Sequence, residues 1–142
     1  MDAKDIAAKD IAASITLRDE QLKDTINSLM GRQDDIQEDI LELQRRKRQG
    51  EEFDEQLLLD LKAIRKESSN QISLLAMTRT ELLDDLPVIR LATGKIKIIT
   101  AELNDDAELI KRTAEKIENT AKMISKAENV LLKIIKITGV LP

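Results

Sequence analysis

The sequence predicts an all-α fold, an antiparallel bundle of three long helices with coiled-coil-like packing. Three observations carry that expectation. Apolar residues return at a step of seven, as Ile15, Leu22, Leu29, Ile36 and Leu43, and again as Ile110, Ile117, Ile124 and Leu131, which is the signature of one apolar line along a helix. Aromatic residues make up 1% of the chain, Phe53 being the single case. A core must therefore be filled by Leu, Ile, Ala and Met, the palette of helix-on-helix packing. Two prolines and four glycines punctuate 142 residues, so few turns are on offer.

The chain opens on "MDAKDIAAKDIAAS", with the direct repeat "AKDIAAKDIA". A period of five matches neither a helix face nor a strand, because successive copies rotate by roughly 140°. Residues 1–14 are read as a helical or frayed lead-in, and residues 15–142 as a single three-helix bundle domain. Helix 1 is expected from about residue 15, with a start near residue 3 as the alternative, to about residue 48. Ile26 and Ile40 widen its seam, and Gln33 interrupts it. The run "RRKRQG" closes it, with basic residues at the negative end of the helix dipole and Gly50 suited to the left-handed position beyond the cap.

Helix 2 is expected to begin near Glu52, where "GEEFDEQ" supplies acids for a first turn. Leu57, Leu58, Leu61, Ile64, Ile72, Leu75, Leu82 and Leu86 mark its apolar side, softened in the middle by Ser68 and Gln71. Two stops compete for its end. "DDLP" offers Pro87 as the opening of helix 3. "NDDAE" offers Asp105 as a cap with Glu108 at capping-box spacing, which puts the end near Asn104. From Leu82 to Ile124 the apolar steps of four and three never break phase, which favours the stop at Pro87. The stop near Asn104 would give better-matched helices of roughly 46, 50 and 34 residues, or about 70, 75 and 50 Å. "ATGK" beside "KIKIIT" also permits a short β-hairpin. The proportions are spectrin-like in shape alone; no family motif accompanies them.

Residues 107–131 alternate large and small, with Ala107, Ala114 and Ala121 falling between Ile110, Ile117 and Ile124. The expected seam is Ile110, Ala114, Ile117, Ala121 and Ile124, where alanine lets a facing backbone approach and a large residue fills the next hole. Such a stripe serves an internal core first. Unequal helices would leave part of it facing water, where a second copy or a protein partner would cover it.

Composition restricts the chemistry. Without Cys and His there is no thiolate or imidazole ligand, no cysteine nucleophile and no serine–histidine relay. Adjacent acids such as Asp34-Asp35, Asp84-Asp85 and Asp105-Asp106 diverge by about 100° on a helix, so they do not converge on a cation; they are read as helix N-terminal charges. No P-loop, dinucleotide fingerprint or nucleophile elbow is present. No catalytic residue, cofactor or metal is therefore expected. The basic run at 44–50 lacks the interleaved aromatics of a nucleic-acid surface, and the net charge is −4. A soluble, cytoplasmic protein is the plain expectation.

The tail "NVLLKIIKITGVLP" is the most suggestive stretch. Leu131, Ile134, Ile135 and Leu141 are candidate contacts for a homo-oligomer or a protein partner. The sequence thus predicts a non-enzymatic interaction module, a rigid helical rod with an uncovered apolar stripe. The alternative is a peripheral membrane-binding or toxin-like helical protein using the same tail among Lys126, Lys133 and Lys136.

Overall fold

A computed structural model describes the backbone of residues 3–96 and 103–138, and the side chains of residues 11–87 and 108–138. The described residues form three helices: α1 Ala3–Arg48, α2 Glu55–Ile96 and α3 Leu103–Ile137. Each packs against the other two, giving an all-α three-helix bundle with no strand among the described residues. α1 starts at Ala3 with no break before Ile15, so the lead-in continues the helix that follows it.

The turn after α1 is built by backbone geometry. Gly50 has φ +72°, a conformation that a side chain would strain. The Glu51 N–H donates to the Arg46 carbonyl at 2.9 Å and the Gly50 N–H to the Lys47 carbonyl at 3.2 Å, the paired bonds of a Schellman cap. α2 begins three residues later than Glu52. Asp54 is its cap: the carboxylate accepts from the Leu57 N–H at 3.0 Å, and the Asp54 carbonyl accepts from the Leu58 N–H at 3.1 Å. Glu51 and Glu52 therefore precede the helix.

Pro87 does not end α2, which continues through it to Ile96. The expected stop is overturned. Proline cannot donate to the carbonyl four residues back, here that of Leu83. Pro87 is exposed and Leu83 is 39% exposed, so the freed carbonyl lies on the face where water can satisfy it. The antiparallel pairs Thr78–Met123 and Asp85–Lys116 also require the chain to reverse between Asp85 and Lys116. The unbroken apolar phase across that reversal is a coincidence of spacing, not a mark of one helix. Gly94 lies within α2, which removes the hairpin reading at "ATGK" as far as the described residues reach.

The helices contribute to two compact units, Met1–Lys23 with Ala76–Ile124, and Asp24–Leu75 with Ser125–Pro142. In the first unit the buried apolar side chains are Ile15 and Leu22 from α1, Leu82 from α2, and Ile110, Ile117 and Ile124 from α3. Thr113 and Thr120, each 1% exposed, sit between those isoleucines. Thr120 bonds its own helix, donating to the Lys116 carbonyl at 2.7 Å, while the Thr113 hydroxyl is buried without a partner among the described residues. Arg79 donates to Asp19 at 2.6 Å between α2 and α1, and Lys116 to Asp85 at 2.9 Å between α3 and α2.

In the second unit Leu29, Ile36, Ile40 and Leu43 from α1 meet Leu58, Leu61, Ile64 and Leu75 from α2 and Ala127, Val130 and Ile134 from α3. Each Leu or Ile fully buried here contributes about 1.5–3 kcal/mol. The polar interruptions noted along the two sequences meet one another. Gln33 of α1 donates through Nε2 to Ser68 and Ser69 of α2, both at 3.1 Å. Ser68 is wholly buried and Gln71 nearly so. A buried hydroxyl left unpaired would cost about 1–3 kcal/mol, so this contact favours one register of α1 against α2.

The small residues of the α3 seam fall one position earlier than the alanines. The buried line runs Ile110, Thr113, Ile117, Thr120, Ile124, Ala127, whereas Ala114 is exposed and Ala121 half-buried. Ala127→Leu should therefore overpack the second unit and cost about 1–3 kcal/mol, while Ala114→Leu should stay within about 0.5 kcal/mol of the wild type. Chemical denaturation of the two variants checks this; a larger loss for Ala114→Leu would restore the alanine seam.

Candidate functional site

The C-terminal turns of α1 concentrate the charge. Arg45 grips Glu42 through both carboxylate oxygens, at 2.6 and 3.0 Å, and Arg46 adds a bond at 3.1 Å. Arg45 also reaches Glu51 at 3.5 Å and donates to Gln49 at 2.7 Å. These bonds, Arg45 first and Arg46 second, hold the Glu42 carboxyl down at about 2 against an ordinary 4.5, because charge-assisted donors favour the ionised form.

The remaining cations of the run face elsewhere. Lys47 lies 6.0 Å from the centre of the Phe53 ring, within reach of a cation–π contact. Lys47 and Arg48 of α1, with Gln44, join Leu58 and Lys62 of α2 around a groove of about 300 Å³. The Arg45, Arg46 and Lys47 carbonyls already accept from the Gln49, Glu51 and Gly50 N–H groups. The bland reading of the run as a helix end accounts for Arg45 and Arg46 with their tie to Glu42, and leaves Lys47 and Arg48 over.

A second groove of about 300 Å³ lies between α1 and α3, lined by Arg32, Asp35, Glu38, Asp39, Ile135 and Thr138. Arg32 bonds Asp35 at 3.2 Å, and the lining keeps a surplus of acid: three carboxylates against one guanidinium. Among the described residues no group of three or more His, Cys, Asp or Glu side chains is placed to hold a metal ion. Of the acid pairs read as helix N-terminal charges, Asp85 instead bonds Lys116 and Asp35 bonds Arg32, while the side chains of Asp105 and Asp106 lie outside the described residues.

The predicted site residues separate in space and burial. Ile110, Ile117 and Ile124 are buried seam residues, Ala121 is half-buried and Ala114 exposed. In the tail, Ile134 is wholly buried and belongs to the core, which corrects its assignment as a contact. The reason is its phase: Ile134 continues the line of Thr113, Thr120 and Ala127. Leu131 is half-buried, Ile135 is 45% exposed, and Leu141 lies outside the described residues. The residue that sequence reasoning missed is Leu132, 57% exposed and three residues before Ile135, hence on its face of the helix. Other large apolar side chains are exposed as well, among them Met30, Leu41 and Leu59, and Leu74 with Met77 at the same spacing of three. No described helix is long and apolar enough to cross a membrane.

The Glu42 cluster gives a pH prediction. A carboxyl lower in the folded chain than in the unfolded one stabilises the fold above about 4.5, and that contribution is lost as pH falls towards about 2. Carbon-detected NMR titration of the Glu42 carboxyl should give a midpoint near 2, and Arg45→Gln should raise it. A midpoint near 4.5 in the wild type would mean that the guanidinium grip does not exist in solution.

No protein-family model, no curated protein and no solved structure matches this chain.

Proposed function

We propose that this protein is a non-enzymatic, cytoplasmic interaction module that associates with a second copy of itself through exposed apolar side chains near the C-terminal end of α3. The supporting observation is the pair Leu132 and Ile135, 57% and 45% exposed, beside a seam that is already filled. The core takes Ala127, Val130 and Ile134 from the same stretch of α3, so the outward pair is surplus to folding. Large apolar side chains held in water are a liability that association relieves. The uncovered surface is thus this local pair beside the acidic groove, not the long seam, whose residues face inward.

Membrane attachment through the tail is the alternative, and Lys133 and Lys136 beside the exposed pair are what favour it. Burial of Val130 and Ile134 between them leaves only a narrow apolar edge for a lipid surface, which favours protein association.

Leu132→Gln together with Ile135→Gln removes the pair without adding charge and keeps good helix formers. Sedimentation of the full chain should show a mass that rises with concentration in the wild type and much less in the double variant, with similar thermal midpoints. A wild type that stays monomeric, yet floats with anionic vesicles, would replace the proposal with the membrane reading.

A further inference from the structure

We infer that the groove between the end of α1 and the start of α2 binds a small soluble anion carrying several clustered phosphates, at a site separate from the self-association surface on α3. Lys47 and Arg48 of α1 and Lys62 of α2 line it with Gln44 and Leu58, and no carboxylate does, in a chain whose net charge is −4. All five residues belong to one compact unit. Several acids close in sequence are engaged elsewhere: Glu42 with Arg45 and Arg46, Glu51 with Arg45, and Asp54 as the cap of α2. Among the described residues no ion pair neutralises Lys47, Arg48 or Lys62. The Phe53 ring that Lys47 approaches at 6.0 Å leaves the ammonium charge in place.

Gathered cations repel one another, and an anion between them relieves that cost. Lys62 stands three and four residues before Arg65 and Lys66 on α2, spacings at which like charges destabilise a helix. Arg65 meets the neutral amide of Gln37, at 3.0 Å, which cancels none of this charge. Arg48 offers a planar donor fork that matches two phosphate oxygens, while Lys47 and Lys62 supply compact ammonium charges. The lining also selects the kind of anion. A volume of about 300 Å³ suits a compact ligand. An acidic peptide would need an apolar anchor, and the single apolar lining residue, Leu58, is 5% exposed. A nucleic acid would need aromatic faces for stacking, which this lining lacks, and the net charge of −4 opposes a long polyanion. Dense charge on a small ligand, such as a triphosphate, fits what is left.

Isothermal titration calorimetry of the full chain with inorganic tripolyphosphate should show saturable binding, with Kd below about 1 mM. Binding should weaken as salt rises from about 0.05 to about 0.15 M, because the contacts are exposed charges. In amide NMR spectra the shifts should move at residues 44–48 and 58–66. Lys47→Gln/Lys62→Gln should stay helical and bind at least about tenfold more weakly. Lys111→Gln/Lys122→Gln removes the same charge from exposed positions of α3 and should bind like the wild type. If the first pair unfolds the chain, Lys62→Gln alone takes its place, with a loss of at least about threefold. Leu132→Gln/Ile135→Gln should keep the affinity for tripolyphosphate whatever it does to self-association. Absence of saturable binding below about 1 mM, equal losses in the two lysine pairs, or shifts centred on the lysines of α3 would overturn the site. A chain that pellets with anionic phospholipid vesicles yet ignores tripolyphosphate would overturn it too, since a headgroup and not a free phosphate would then be the ligand.

Discussion

Register between α1 and α2 is the constraint on which the other contacts depend. A seam of Leu and Ile repeating every seven residues is nearly indifferent to a slide of one heptad, because one branched aliphatic replaces another with little change in volume. The contact from Gln33 to Ser68 and Ser69 breaks that indifference. A slide by seven would set the amide against leucine and leave the wholly buried Ser68 without its donor. The aliphatic seams supply the bulk of the cohesion, and one polar layer selects among their arrangements. In the same unit Arg65 meets Gln37 at 3.0 Å in the antiparallel sense that this register imposes.

The basic groove follows from the same registration, while the acidic groove is set by α3 against α1. The basic groove needs Lys62 of α2 beside Lys47 and Arg48 of α1, and the acidic groove needs Ile135 of α3 beside Asp35 and Asp39. Neither grouping is local in sequence. Cations that look like one run at 45–48 divide by geometry: two are held by Glu42 and two turn towards α2. A charge census of the sequence sees only a mild net −4; the folded arrangement separates the signs into two hollows.

Much of the fold was legible before any coordinates. The line Ile15, Leu22, Leu29, Ile36, Leu43 is buried throughout, and Gly50 takes the left-handed turn that its position after "RRKRQ" suggested. Three features were not legible, each for a physical reason. Steps of four-then-three and three-then-four share a period of seven, so periodicity alone could not choose between Ala114 and Thr113 as the small seam residue. Threonine is the small residue that the buried line takes: its methyl packs, and at Thr120 its hydroxyl returns to its own helix. Pro87 looked like a boundary because proline removes a hydrogen bond; on a water-facing surface that loss is tolerable. Ile134 looked like part of a sticky tail because apolar residues crowd there, and only the phase of the buried line assigns it inward and Leu132 outward.

The central claim is that one polar layer fixes the register, and spin labelling tests it directly, since the chain has no native cysteine. Labels on Gln37→Cys with Arg65→Cys should show strong dipolar broadening. Labels on Gln37→Cys with Ile72→Cys should show much weaker broadening, because seven residues displace a helical position by about 10 Å. Replacing Gln33 with Leu in the same labelled chains should let the second pair gain broadening at the expense of the first. Strong coupling in the Ile72 pair while Gln33 is intact, or an unchanged pattern without Gln33, would contradict the account.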